Sequence, residues 1–365
     1  MVNLRIIRNR KIKIGIVGCG RISNNHIKAI SMHPNQAEIV ALCDKNLEAL
    51  NKARAQLNQL CETDKNPQLF TDYDYLINAS KENKLKIDLI VLATPSGMHP
   101  LQVIKAANAN IHVCTEKPMA TKWEDGIEMV KACEKASVHL FVVKQNRFNS
   151  TLQLVKKQLE KKRFGKLALI TVNVFWHRPQ EYYDQASWRG TIDYDGGALM
   201  NQASHYVDLL DWLIGPVESL SASIATISRK IEVEDTASIQ LKWKNGALGT
   251  MAVTMLTFPK NLEGSITILG EKGTVKIGGN AVNKIEHWNF EDNCKDDLLI
   301  EKASYDTTSV YGFGHKAYYS NLFDVLNGLA NPMCNGSEGL KSLELLIAAY
   351  KSAKNKKVIE LPLES

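Results

Sequence analysis

Ile14-Gly15-Ile16-Val17-Gly18-Cys19-Gly20-Arg21-Ile22-Ser23 carries an apolar strand into a glycine turn and on into a helix, and Leu42-Cys43-Asp44 answers it downstream. Together they predict a dinucleotide site. Gly18 permits a sharp turn, Gly20 lets the backbone approach a pyrophosphate, and the free N–H groups of the next helix face its negative charge. Cys19, Arg21 and Ile22 complete the turn. Asp44 lies about 20 residues on, where a carboxylate suits a ribose 2′-hydroxyl and repels a 2′-phosphate, so NAD is favoured over NADP. Ser23 stands where the fingerprint has a third glycine; it is small enough for close helix-on-strand packing. By itself such a turn is also a common strand-to-helix connection, so the rest of the chain has to decide.

The chain has 365 residues, enough for two domains, and its 44 % apolar and 23 % charged balance is that of a globular protein. Basic residues number 45 against 39 acidic ones. They are scattered, apart from Lys156-Lys157 with Lys161-Lys162-Arg163 on one expected helix, and no aromatic residues alternate with them. That pattern reads as a solvated face, not a nucleic-acid site. Seven cysteines without CxxC spacing argue against a disulfide framework and a zinc site, so a reducing cytoplasm and no metal are expected. The basic start, Met1 to Lys11, lacks an apolar core and a cleavage site, and no run approaches the roughly 18 apolar residues of a membrane span.

Strands are expected at Ile12 to Val17, Ile39 to Cys43, Leu89 to Leu92, His112 to Thr115 and Leu140 to Val143. Helices Leu47 to Leu60, Pro100 to Ala109 and Trp123 to Ala136 alternate with them, the last with Ile127, Val130 and Ala132 near helical spacing. This is a doubly wound parallel sheet over residues 1–147. From residue 148 to 365 the texture changes. After a helix, Thr151 to Lys161, come a run from Lys166 to Trp176 and consecutive strands Ser219 to Thr226, Thr236 to Trp243, Leu248 to Met255, Glu263 to Leu269 and Thr274 to Ile277. That order implies a mainly antiparallel, open-faced sheet in an α+β domain, with a helix from Gly197 to Leu213 on one face and a last helix around Leu340 to Ala353 closing the fold, free to pack back on the first domain.

Ligands of parallel sheets bind at the carboxyl ends of the strands. Thr94-Pro95-Ser96 with His99 follows one strand there, and Glu116-Lys117-Pro118 the next. A lysine in such a turn is otherwise a surface residue; held before Pro118, Lys117 could donate to a substrate oxygen or steady a developing alkoxide. Asn201 and His205 lie four apart on the expected helix and share a face, and an imidazole there can accept a hydroxyl proton. Trp176, His177, Arg178, Tyr182, Tyr183, Trp188 and Arg189 form the densest aromatic and basic cluster, suited either to stacking a base and pairing a diphosphate or to an ordinary core or subunit interface.

In order, Gly18-Cys19-Gly20-Arg21-Ile22, Asp44, Thr94-Pro95 with His99, Glu116-Lys117-Pro118 and the Gly196-Gly197 segment ending in His205 resemble the Gfo/Idh/MocA oxidoreductases over nearly the whole chain. The resemblance implies an NAD-binding Rossmann domain and an open-faced sheet domain. It also implies that Lys117 polarises the reacting hydroxyl and His205 is the base. Many sugar and inositol members carry Asp where Asn201 stands, so either the substrate brings its own anion or Asp208 contributes.

Gln145-Asn146-Arg147-Phe148, Ser187-Trp188-Arg189-Gly190-Thr191 and Asp195 to Gln202 are most similar to the subgroup of nucleotide-sugar 3-dehydrogenases acting on UDP-N-acetylglucosamine or its uronate in surface-polysaccharide synthesis. From that likeness, Gln145, Trp188 and Arg189 join Thr94, Pro95, Ser96, His99, Glu116 and Lys117 as cofactor contacts. Asn146, Arg147, Trp176, Arg189, Asn201 and His205 become substrate contacts. His315, in glycine-rich Tyr311-Gly312-Phe313-Gly314-His315, is a further candidate for the pocket. The expected reaction is NAD-dependent oxidation of the sugar 3-hydroxyl, a dehydrogenation at CH–OH, in a homodimer or homotetramer formed through the open sheet. An inositol or free-sugar dehydrogenase and a non-catalytic NAD-binding regulator are the alternatives.

Overall fold

The computed structural model describes residues 4–61, 66–307, 310 and 312–364. Met1 to Asn3 and Tyr311, quoted above, lie outside them. The chain forms two compact units, residues 1–143 with 315–340 and residues 144–314 with 341–365.

The first unit is built on six parallel strands: β1 (Ile12–Val17), β2 (Ala37–Cys43), β3 (Gln68–Phe70), β4 (Leu89–Leu92), β5 (His112–Thr115) and β6 (Leu140–Val142). Their order is β3-β2-β1-β4-β5-β6, the doubly wound arrangement whose ligands sit where the order reverses, beside β1 and β4. Ile12, Ile14, Ile16, Leu89, Val91 and Val113 are buried, which is why these strands read as near-continuous apolar runs. Helices α1 (Ser23–Ser31), α2 (Leu47–Cys61), α3 (Tyr73–Lys81), α4 (His99–Ala107) and α5 (Trp123–Lys135) connect the strands. On α5 the buried stripe is Gly126, Met129 and Cys133; the expected Ile127, Val130 and Ala132 are half-buried beside it.

The second unit holds an eight-stranded sheet: β7 (Leu167–Phe175), β8 (Val217–Ala225), β9 (Thr236–Trp243), β10 (Leu248–Thr254), β11 (Glu263–Gly270), β12 (Gly273–Gly278), β13 (Lys284–Phe290) and β14 (Ile359–Glu360). The order is β13-β12-β11-β7-β10-β9-β8-β14, antiparallel except for the parallel pair β7 and β10. Along β9, Ala237, Ile239, Leu241 and Trp243 are buried while Ser238, Gln240 and Lys242 are exposed. One face therefore carries the core, and the other presents Thr, Ser and Gln with cross-strand neighbours Leu169 and Leu248.

The segment from Gly197 to Leu213 is not one α-helix. Residues Ala198–Gln202 and Leu210–Ile214 are π-wound on either side of a short α-helix, Ser204–Leu209. The start of the segment is held by side chains distant in sequence. Ala198 N–H donates to the Glu234 carbonyl and Leu199 N–H to Glu234 Oε1 at 2.9 Å. The Tyr350 hydroxyl, itself donating to Glu234 Oε1 at 2.8 Å, accepts from Gly197 and Met200 N–H at 3.3 Å each. These groups hold the first donors of the segment, and further on Ala203 N–H closes onto the Ala198 carbonyl, five residues back. The strict four-residue geometry expected between Asn201 and His205 therefore does not apply.

Candidate active site

In the first unit, three turns follow β1, β4 and β5. Gly18 has φ +87°, and a Cβ there would lie 2.6 Å from the Ala93 carbonyl oxygen, so only glycine fits. Around the position of a Cβ on Gly20 nothing lies within 4 Å. This open cradle at the mouth of α1, which Ser23 closes by donating from its hydroxyl to the Gly20 carbonyl at 2.6 Å, fits a pyrophosphate. Arg21 is exposed and Ile22 half-buried. Asp44 Oδ2 accepts Cys19 N–H at 2.7 Å and Oδ1 accepts Asn46 N–H at 2.8 Å. The acidic residue thus fixes the glycine turn as well as ending β2. Burial, helped by the Asp44 charge, pushes the Cys19 thiol up to about 12, so this side chain packs and does not react.

In the second turn Thr94 donates to Gln102 Oε1 at 2.6 Å, with Pro95 half-buried and Ser96 buried beside it. His99, read from sequence as a cofactor contact, is 0 % exposed. Its Nδ1 lies 3.1 Å from the Pro118 carbonyl and its Nε2 2.9 Å from that of Thr94, so it braces the second turn against the third.

The third turn presents Glu116, buried, and Lys117, half-buried. Glu116 Oε2 accepts Lys117 N–H at 3.0 Å, and Oε1 lies 3.0 Å from His26 Nε2, whose Nδ1 is 2.7 Å from the Tyr319 hydroxyl. An ionised carboxylate only accepts, so His26 donates from Nε2 to Glu116. Burial raises the Glu116 carboxyl, but the His26 hydrogen bond and charge, with Lys117 and His315, prevail and hold it at about 2. His315 sits edge-on to His26 at 5.8 Å, and burial above all brings it down to about 4. It packs against this buried relay through that ring contact. Sequence reasoning missed His26 and Tyr319. The signal was available: Tyr319 follows His315 by one helical turn on the Gly314–Leu326 helix.

The second unit gathers His205, Asn201, Gln145, Asn146, Arg147, Trp176, Trp188 and Arg189. His205 is buried, with Nε2 3.3 Å from the Gln145 amide nitrogen. Asn201, half-buried, donates from Nδ2 to Asp195 Oδ1. Arg147, read as a substrate contact, is 1 % exposed and pairs through Nε and Nη2 with both Asp208 oxygens at 2.8 and 2.7 Å, while Lys144 Nζ stands 3.2 Å from the same carboxylate. Burial raises Asp208, but Lys144 and Arg147 overcome it and hold it at about 2. Asp208, considered above as support for His205, is thus engaged by two other cations, and Arg147 and the buried Asn146 lie inside the core. Lys144 was missed by the sequence reading. Arg178 stacks 5.0 Å above buried Trp176 and donates to Gln202 Oε1 at 3.2 Å. Arg189 lies 4.4 Å over Tyr182 and 5.6 Å from the ring of half-buried Trp188. The aromatic and basic cluster is therefore largely paired within itself around the π-wound turn.

Two family models account for the chain. Residues 12–144 match the oxidoreductase family's NAD-binding Rossmann fold and residues 156–361 its C-terminal alpha/beta domain. The chain belongs to the Gfo/Idh/MocA family. Among solved structures, the WlbA dehydrogenase from Bordetella pertussis in complex with NADH and UDP-GlcNAcA is 57 % identical, covers 98 % of this chain and 100 % of its own, and superposes with a TM-score of 0.92. The corresponding enzyme of Chromobacterium violaceum, solved with the same two ligands, is 53 % identical over the full length of both chains, with a TM-score of 0.92. D-apiose dehydrogenase of Paraburkholderia graminis is 24 % identical over 96 % of this chain and 90 % of its own. Family membership makes the protein an oxidoreductase with an NAD-binding Rossmann domain, in keeping with the expectation from the glycine turn and Asp44. Among the described residues no helix is long and apolar enough to cross a membrane.

Proposed function

We propose that this protein is an NAD-dependent dehydrogenase that oxidises the 3-hydroxyl of a UDP-linked N-acetylamino sugar, UDP-N-acetylglucosaminuronate before UDP-N-acetylglucosamine. The observation that carries the reading is identity of 53 to 57 %, over at least 98 % of the chain, to two dehydrogenases solved with NADH and UDP-GlcNAcA. Bound at the Gly18 to Gly20 turn, NAD supplies the hydride acceptor. Lys117 donates to the reacting oxygen, while His205 accepts the hydroxyl proton. Asp44 favours NAD over NADP by charge. Assembly into a homo-oligomer through the outer face of the eight-stranded sheet, and a cytoplasmic location consistent with seven free cysteines, belong to the same reading.

The test incubates purified protein with NAD and UDP-GlcNAcA, UDP-GlcNAc, inositols and free sugars, following reduced cofactor with and without 2-oxoglutarate as a recycling oxidant. Turnover on the UDP-uronate, with Lys117→Ala and His205→Ala each losing roughly 100-fold or more in kcat while retaining NADH affinity, is the expected result. Turnover on inositols alone, or unchanged NADH binding with no turnover on any alcohol, overturns the reading in favour of a polyol dehydrogenase or a regulator respectively.

A further inference from the structure

Asp195 immediately precedes the two glycines that open the π-wound turn. It is 2 % exposed. Its Oδ2 accepts Gly190 N–H at 2.7 Å, and its Oδ1 accepts from the Asn201 amide. The backbone N–H groups of Asp195 and Gly196 both return to the Thr191 carbonyl, at 3.2 and 3.0 Å, so the carboxylate is anchored on a closed loop. A carboxylate accepts hydrogen bonds and does not donate them. The end of Asn201 that faces Asp195 is therefore its NH₂, and the carbonyl oxygen takes the opposite side of the amide. The two ends of an asparagine are otherwise nearly isosteric; here the neighbour's chemistry decides between them.

We infer that Asp195 is a positioning residue, which fixes the polarity of Asn201 so that an acceptor, not a donor, is turned away from the loop, on the segment that leads to His205. The inference rests on the reading of His205 as the base and Asn201 as its neighbour at the reacting hydroxyl. An acceptor at that place suits a sugar hydroxyl, which has a proton to give; an amide reversed by half a turn would offer an N–H to the same group and mis-set it. In this scheme Asp195 has a positioning role. It acts through Asn201.

An exchange of the two side chains separates this role from simple loop support. In Asp195→Asn, the new amide can still accept Gly190 N–H through its carbonyl oxygen, but its NH₂ now faces Asn201, which must flip to answer it. The bonds to Gly190 and to residue 201 described above are kept, while the outward end of Asn201 changes from acceptor to donor. In Asn201→Asp two carboxylates confront each other across a hydrogen-bond distance. In the double variant the amide introduced at position 195 donates to the carboxylate introduced at position 201, whose other oxygen again faces outward as an acceptor.

The expected result, with UDP-GlcNAcA and NAD, is a loss of roughly 10- to 100-fold in kcat for D195N with a melting temperature within about 3 °C of the parent and unchanged NADH affinity. A comparable loss is expected in N201D, and recovery of the double variant to within about tenfold of the parent. Parental activity in D195N, or losses that multiply in the double variant, overturns the proposal, as does a D195N protein whose kcat falls only in step with its stability. Failure of the parent protein to turn over the UDP-sugar removes the function first and this proposal with it, an outcome read in a different protein from the others.

Discussion

Asp208 shows how one residue's neighbours set its use. Three residues beyond His205 in sequence, it would serve as a carboxylate to strengthen the base, yet Arg147 grips both its oxygens and Lys144 stands 3.2 Å away. All three side chains are 3 % exposed or less. A buried ion cluster contributes little net stability when intact, but removing one partner strands the others in a medium that cannot solvate them. Asp208→Ala is therefore expected to cost about 3 to 5 kcal/mol, read as a lowered midpoint in urea at pH 7 with an unchanged slope. A loss under about 1 kcal/mol would mean that water reaches the cluster. Sequence spacing could not have disclosed this: Arg147 and Asp208 are 61 residues apart, and an arginine beside Gln145 and Asn146 looks like a ligand contact until its partner is known.

Among elements, α1 does more than point its N-terminus at a phosphate. Through His26 it holds Glu116, and through Glu116 the backbone N–H of Lys117, while Tyr319 on the Gly314–Leu326 helix secures His26 from behind. His26→Phe keeps a ring of similar shape and deletes both hydrogen bonds, leaving a buried carboxylate short of its main donor. A loss of about 2 to 3 kcal/mol is expected at pH 7. Its pH dependence has a definite sign. In the parent, Glu116 is depressed to about 2, so its contribution is complete above the ordinary carboxylate range and fades as pH falls from about 4.5 toward 2. The gap between parent and variant in denaturation midpoint should narrow over that interval; a constant gap would show that packing, not charge, makes the link. The strands of this unit were legible because parallel strands buried on both faces are continuous apolar runs. The exceptions are physical too. β3 has three residues, none of them buried, and so has no apolar run to betray it. The segment after Gly197 reads as a regular helix because its side chains are apolar, whereas the five-residue closures that interrupt it leave no mark in the pattern, and the Glu234 and Tyr350 groups that hold its start are far away in sequence. In the same way the Gly18 turn and Asp44 announced the NAD-binding half, while the buried relay behind Lys117 depends on contacts between elements that no local pattern encodes.

Over the whole molecule, the two units carry opposite responses to mild acid. Burial disfavours the charged form of four histidines in the first: it lowers His99 and brings His112 to about 3, His139 to about 4 and His315 to about 4, and His112 Nδ1 accepts the His139 N–H at 2.9 Å, a role open only to an unprotonated nitrogen. A base depressed on folding stabilises fully above its unfolded value, near 6.5, and loses that contribution as pH falls, because the unfolded chain then binds protons the folded one refuses. The second unit buries Glu234. Burial pushes it up to about 7 against the hydrogen bonds from Leu199 and Tyr350. An acid raised on folding does the reverse: between about 4.5 and 7 the folded state holds a proton that the unfolded state has released, so its stability grows as pH falls, by about 3 kcal/mol over the interval. Hydrogen exchange by mass spectrometry at pH 5 and pH 7, corrected for intrinsic rates, resolves the units by peptide. Core amides of β1, β4 and β5 should lose protection at pH 5 while those of β9 and β10 gain it. Glu234→Gln, which keeps acceptors for Leu199 N–H and the Tyr350 hydroxyl but cannot ionise, should abolish the gain in the second unit and leave the loss in the first. If both units shift in the same direction, or if the gain survives the substitution, Glu234 is not the group that links the second unit to pH.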